Sequence, residues 1–488
     1  MKVEVLNIVD AILFHARQIP AAAAICAPGT QFNIVSYGRL ERFIYNIGRN
    51  VLARGLQRGS VVAILVADQV LHSALILGLM RLGIVTLSAR DANFPNGLRI
   101  DAVLTDAPHA FGSTGNVIVA DATWTVGDGQ PVADPQGHRT HGNDICRIIL
   151  TSGTTGDAKA VAFTHDTVLA RILRHNIVFG NRLPDGARTF SILGLGSSLG
   201  FFFLIYTLTR GGAFFLRGAD AGETMQALDF YKIENLVASP AGLAEFVDYY
   251  ERTPGCPTNL AVVLTAGSLL SKSLSERVRS RLCPHLVSVY GTTETSMVAT
   301  ALSHAIAHIP GAVGYITPGV SVEIVDHSGN IMPAGKEGLV RIRSKFGVDR
   351  YLGDPAGSEE VFRDGWFYPG DVGALTADQL LIISGREKPI LNVGGDKVNP
   401  ERIERVLAEF PGIAQAGAFS ILNSFGIEEL CAAFVSPTRL DEAALRSHCQ
   451  RHLPIEFVPL HFLAVPGIPR TDTGKVDRPR LATVVRAQ

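Results

Sequence analysis

What the sequence lacks narrows it first. Neither charge is in excess: 44 Lys and Arg stand against 45 Asp and Glu over 488 residues, a net of −1, which leaves no basic footprint for nucleic acid and no acidic surface. The six cysteines, Cys26, Cys146, Cys256, Cys283, Cys431 and Cys449, never form a C-x-x-C pair. That argues against a disulfide framework and a zinc site, and it fits a reducing, cytoplasmic setting. The opening MKVEVLNIVDAILFHARQ breaks any apolar core with Glu4 and Asp10 and has no small-residue cleavage pattern, so it reads as an amphipathic helix and not a leader. No fixed-period repeat is present. The run SILGLGSSLGFFFLIYTLT, Ser191 to Thr209, is uncharged and reaches membrane-span length, but its glycine and serine interruption predicts a buried strand, loop and helix, with no transmembrane segment.

What is present is the composition of a large α/β enzyme, 47% hydrophobic and only 18% charged, on a chain too long for one ordinary core. SVVAILVA, LHSALILGLMRLG and VTLSA alternate as strand, helix and strand, which predicts βαβ units on a mostly parallel sheet. The pattern recurs at ENLVASP to AGLAEFVDYY and at LAVVLTAG to SLSERVRSRL. After Gly338 the texture turns β-rich, and from NPERIERVLAEF onward a separate α+β domain of about 100 residues is expected. The expected fold is therefore α/β, a large N-terminal domain of α/β layers with a β-rich subdomain plus a small C-terminal α+β domain, joined at SGREKP.

The stretch LTSGTTGDAKAV packs Thr151, Ser152, Thr154 and Thr155 around Gly153 and Gly156, with Lys159 close behind. Backbone N–H groups of a glycine-bearing turn and adjacent hydroxyls make an anion cradle. The alternative is a polar turn between a strand and a helix capped by Thr164. A Walker-type loop is disfavoured, because Lys159 lies between Ala158 and Ala160 where Gly-Lys-Ser/Thr would be needed.

Further motifs follow in order. SVYGTTETSM carries Tyr290, Gly291, Thr292, Thr293 and Glu294; DGWFYPGDVG carries Asp371; SGREKPILNVGGDKV carries Arg386, Lys388 and the pair Gly394 and Gly395; PRTDTGKVDR carries Lys475. Each has an ordinary reading alone: a helix-start acid, a turn former, a surface ion-pair partner, a hairpin turn, a solvated tail residue.

Taken together and in this order, these stretches resemble the adenylate-forming superfamily of acyl- and aryl-CoA ligases, peptide-synthetase adenylation domains and luciferases, over nearly the whole chain. The resemblance implies two half-reactions. A carboxylate attacks the α-phosphate of Mg-ATP to give an acyl adenylate and pyrophosphate, and a thiol of CoA or of carrier-protein phosphopantetheine then displaces AMP. It implies Lys475 at the reacting carboxylate and α-phosphate, and Thr293 on the α-phosphate. Thr151, Ser152, Gly153, Thr154, Thr155, Gly156 and Lys159 fall along the β- and γ-phosphates, and Glu294 on Mg2+. Tyr290, with Gly291 and Thr292, falls at adenine, and Asp371 and Arg386 at the ribose. It further implies domains at 1–385 and 389–488 about a hinge at 386–388 centred on Lys388, a mobile C-terminal lid, and a thiol tunnel at Gly394 and Gly395, where a Cβ would intrude. The acyl pocket would be walled by Leu195, Gly196, Ser197, Ala266, Gly267, Ser268 and Met297. These small or apolar walls favour an uncharged aliphatic or aromatic acid.

Three stretches depart from the pattern. Ala158-Lys159-Ala160 replaces Pro-Lys-Gly, Pro369-Gly370-Asp371 replaces Thr-Gly-Asp, and GLGSSLG replaces a segment with an aromatic residue and a histidine, putting Gly196 and Ser197 at those positions. The leading expectation is an AMP-forming acid–CoA ligase acting on a small carboxylic acid. The alternatives are an adenylating enzyme that serves a carrier protein or an amine, and a non-catalytic homologue; a homodimer stays open.

Overall fold

The computed structural model describes residues 7–30, 32–89, 94–107, 116–131, 140–152, 158–217, 221–253, 259–387, 391–393, 396–398, 400–422, 428–453, 455–472 and 474–486. The α/β expectation holds. One six-stranded sheet runs in the order Val117–Val119, Ala102–Thr105, Val61–Leu65, Val85–Ser88, Ile145–Ser152 and Ala158–Thr164. Its pairs are parallel except the last, a hairpin that brings Thr151 opposite Lys159. A larger sheet is parallel through Arg188–Ser191, Asn235–Ala238, Val262–Thr265 and Leu286–Thr292. It then turns antiparallel through Ser296–Leu302, Ala312–Ile316, Leu380–Arg386 and Asp371–Leu375. The switch matters, because it puts the ends of parallel strands beside the β-rich portion.

Both sheets share one core. The uncharged run forms the strand Arg188–Ser191 and the helix Ser198–Leu208, whose residues from Gly200 to Leu208 are all buried. An all-round apolar helix of that kind belongs inside a protein. It packs with Ile64 and Leu104 of the smaller sheet and Phe214, Val237 and Leu264 of the larger. No helix among the described residues is long and apolar enough to cross a membrane. Helix starts follow side-chain chemistry: Asp68, Thr164, Ser197 and Ser239 each accept a backbone N–H of the first turn, which satisfies a donor the helix cannot.

The C-terminal part has its own sheet, Gln415–Leu422, Glu428–Val435 and His461–Ala464, with separate apolar clusters under the helices Pro400–Ala408, Glu442–His452 and Arg478–Arg486. Pro400–Ala408 lies against the strand Leu380–Arg386. The short hairpin Leu391–Val393 and Asp396–Val398 pairs Val393 with Asp396; Gly394 and Gly395 between them, and Lys388 before them, lie outside the described residues.

Candidate active site

The strand Leu286–Thr292 carries Tyr290, Gly291 and Thr292 to a turn that holds Thr293 and Glu294 before Ser296–Leu302 begins. The pairing slips between Tyr290 and Gly291, and a Cβ on Gly291 would stand 2.2 Å from the Ser296 carbonyl oxygen. Only glycine fits there. Ser296 has φ +62°, a left-handed conformation that costs a non-glycine residue about 1 kcal/mol or more. Two buried arginines brace the turn from the helix His165–Phe179: Arg171 Nη2 donates to the Thr293 carbonyl at 3.1 Å, and Arg174 Nη2 to Ser296 Oγ at 3.1 Å. Burial pulls Arg171 down to about 9 and Arg174 to about 10.

Glu294, only 7% exposed, accepts the Tyr351 hydroxyl on Oε1 at 2.9 Å. Burial first, and then the Glu294 charge, raises Tyr351 above the ordinary tyrosine range, so it stays a donor. The described residues contain no cluster of three or more metal-ligating side chains. Glu294 instead offers a lone hard oxygen, which suits Mg2+ that keeps waters and phosphate oxygens as its other ligands.

Asp371 and Arg386 face each other in the register of two antiparallel strands. Arg386 Nε donates to Asp371 Oδ1 at 2.8 Å, and the Tyr290 hydroxyl donates to Oδ2. Burial and the Asp371 charge together raise Tyr290 well above its ordinary range. Tyr290 was expected as a ring on adenine; its hydroxyl also holds the expected ribose carboxylate.

Lys475 comes from the C-terminal part, in a loop closed by Thr471 N–H on the Lys475 carbonyl at 2.7 Å and Gly474 N–H on the Thr471 carbonyl at 2.8 Å. A Cβ on Gly474 would touch Ser239 Cβ and Oγ, both at 3.3 Å, so the loop rests on the start of the helix Pro240–Arg252. Burial first, then the Arg386 charge, lowers the Lys475 ammonium, while Asp371, Glu401 and Glu294 oppose that shift. Four residues from three other stretches of the chain therefore act on one ammonium group.

Lys159 Nζ pairs with Asp354 Oδ2 at 2.7 Å. That hydrogen bond lowers Asp354, which also caps the helix Pro355–Val361 through the Gly357 N–H. Thr151 and Ser152 end their strand at the stretch expected to cradle phosphate; Gly153, Thr154, Thr155 and Gly156 lie outside the described residues. Of the expected acyl wall, Leu195 and Met297 are buried in one apolar cluster. Ser197 caps the helix Ser198–Leu208, and Gly196 is exposed. Ala266, Gly267 and Ser268 follow the strand Val262–Thr265, with Gly267 and Ser268 exposed.

Sequence reasoning missed Tyr351, Arg171, Arg174, Asp354 and Glu401. Arg171 and Arg174 left one trace: two cations three residues apart within VLARILRHNIVF, on the face that otherwise packs inward.

Residues 14–352 match the family described as AMP-binding enzyme. Among curated proteins, the chain is 28% identical over 355 residues to the 2-hydroxy-7-methoxy-5-methyl-1-naphthoate–CoA ligase of Streptomyces carzinostaticus, covering 70% of this chain and 62% of that one. It is 25% identical over 487 residues to the probable CoA ligase CCL9 of Humulus lupulus, covering 93% and 92%. The chain thus spans less than two thirds of the first of these relatives and nearly all of the second. Among solved structures, the O-succinylbenzoate coenzyme A synthetase of Bacillus subtilis in complex with AMP superposes with a TM-score of 0.80 at 19% identity, over 96% of this chain and 97% of that one.

Proposed function

Because the chain belongs to the AMP-binding enzyme family, we propose that it activates a carboxylic acid with ATP as an acyl adenylate, releases pyrophosphate, and transfers the acyl group to the thiol of CoA with release of AMP. The observation that carries this is the convergence on Lys475. Its ammonium lies within electrostatic reach of Arg386, Asp371, Glu401 and Glu294, residues brought from three other stretches of the chain.

The chemistry asks for positioning and charge more than for a covalent catalyst. Two anions meet when a carboxylate approaches a phosphate, and Lys475 supplies a positive charge at that meeting point, strengthened by its burial. Asp371 accepts hydrogen bonds from paired ribose hydroxyls, while Arg386 and Tyr290 fix both of its oxygens against rotation. Thr293 and Glu294 keep their places because Arg171 and Tyr351 hold the turn and the carboxylate. Mg2+ bound at Glu294 would neutralise charge on the departing phosphates. Lys159 serves the same pyrophosphate, with Asp354 steering it.

The acceptor reading rests on the Gly394 and Gly395 pair in the sequence and on the CoA ligases among the relatives. A reducing cytoplasmic setting is supported by Cys26, Cys146, Cys283, Cys431 and Cys449, all free and buried. The test is ATP–pyrophosphate exchange over a panel of carboxylic acids, repeated with CoA and followed by mass spectrometry. Acid-dependent exchange with CoA-dependent acyl-CoA is expected. Exchange without acyl-CoA would overturn CoA as acceptor and point to a carrier protein or an amine; no exchange with any acid would overturn adenylation.

A further inference from the structure

Beneath the Leu195 loop lies a cation that the proposed reaction does not use. Arg147, on the strand Ile145–Ser152, is fully buried at 0% exposure, and among the described residues no carboxylate pairs with it. Its Nη2 donates to Ser88 Oγ at 2.5 Å and to the Leu195 carbonyl at 2.8 Å, and its Nη1 to Thr86 Oγ1 at 3.3 Å. Its Nε, equally buried, has no partner among the described residues. The guanidinium lies over the Phe201 ring, 5.1 Å from its centroid.

Ser88 passes the polarity on. A guanidinium can only donate, so Ser88 Oγ accepts from Arg147 and gives its own proton to His72 Nε2 at 2.6 Å, which leaves His72 Nδ1–H to the Val66 carbonyl at 3.2 Å. Burial and the Arg147 charge bring His72 down to about 4, so the ring stays neutral and the positive charge uncompensated. Such a charge is costly to bury without an anion. The residues over it border solvent: Gly196 is exposed, Ser88 and His72 are partly exposed, and a Cβ on Gly196 would meet only Ser88 Cβ, at 3.5 Å. This is the position at which the sequence lacks the aromatic residue and histidine expected of an acyl-CoA ligase.

We propose that Arg147, held in place by Ser88 and His72, forms a polar subsite of the acyl site that takes a hydrogen-bond acceptor on the substrate acid remote from its reacting carboxyl, above all a second carboxylate. It rests on the adenylation reading, and it replaces the uncharged acid suggested by the apolar walls. An incoming acceptor takes the place of the Leu195 carbonyl on Nη2 and supplies the anion that the cluster lacks.

The experiment is ATP–pyrophosphate exchange with α,ω-dicarboxylic acids of rising length against monocarboxylic acids of equal length, and with hydroxybenzoates against benzoate. The acceptor-bearing member of at least one pair is expected to lead in kcat/KM by about tenfold or more, since a site built to hydrogen-bond a group rejects the analogue lacking it. Arg147→Met is expected to collapse that ratio towards one, and Ser88→Ala, which leaves the cation buried and the fold less challenged, to reduce it. Equal or better exchange with every plain acid overturns the subsite, as does an unchanged ratio in Ser88→Ala or in a folded Arg147→Met. No exchange with any acid overturns adenylation itself, a different result.

Discussion

Arg386 Nε reaches Asp371 Oδ1 across 2.8 Å while the Tyr290 hydroxyl takes the other carboxylate oxygen, so two motifs far apart in the chain share one buried anion. Asp371 is 4% exposed, and its donors are charge-assisted. Asp371→Asn turns an amide N–H towards a donor, and a lost bond to a charged group is worth about 1.5–3 kcal/mol, or about tenfold to a hundredfold in kcat/KM for ATP. Tyr290→Phe should lose less. Exchange kinetics at varied ATP decide this, and an unchanged ATP dependence in both variants would remove Asp371 from the nucleotide site.

Lys475→Ala is expected to lower adenylation by about a hundredfold or more, in the range that one oriented group supplies to a charged transition state. Transfer from a supplied acyl adenylate to thiol should fall much less. Near-normal exchange in the variant would show that the Lys475 ammonium has no part in the first step.

Lys159 pairs with Asp354 at a partly exposed position, where an ion pair contributes at most about 1 kcal/mol to stability. Lys159→Met should therefore melt within a few degrees of the parent yet raise KM for ATP. A large loss of melting temperature with unaltered KM would make the pair a structural strut.

Gly291→Ala puts a methyl 2.2 Å from the Ser296 carbonyl, in a strand pair that has no slack. Overpacking of this kind costs about 1–3 kcal/mol, and because the displaced backbone leads straight to Thr293 and Glu294, exchange activity should fall more than stability does. Denaturant titration beside exchange kinetics would reveal the opposite order if the bulge only serves folding.

Acid should destabilise the protein through two buried histidines. His165 Nδ1 accepts the Ile8 N–H at 3.2 Å, and His175 stacks among Phe179, Phe202 and Tyr206. Burial lowers His165 to about 4 and His175, which the charge of Arg174 also disfavours, to about 3. Between those values and 6.5 the unfolded chain binds more protons than the folded one, so stability is complete above pH 6.5 and falls as pH drops. At pH 5 the loss is about 2 kcal/mol for each histidine. Urea midpoints at pH 7.5 and 5 measure it, and equal midpoints would contradict it.

The α/β alternation and the buried helix Ser198–Leu208 could be read because each rests on local pattern, and Glu294, Asp371, Arg386 and Lys475 could be proposed because they fall in ordered motifs. The braces could not. Tyr351 reaches Glu294 across 57 positions and Arg171 reaches Thr293 across 122, and nothing in the local spacing of either residue records its partner.

By itself the sequence determined the layered fold class, since hydrophobic period and turn residues act within a few positions, and it supplied the side chains from which an ATP site is proposed. Only the tertiary structure decided that Lys475 lies within electrostatic reach of Arg386, Asp371 and Glu294, that Tyr290 spends its hydroxyl on Asp371, and that Arg147 lies under Leu195 without a counter-charge among the described residues. Those are relationships between distant segments, and their energies depend on burial and charge that exist only once the chain has closed around them.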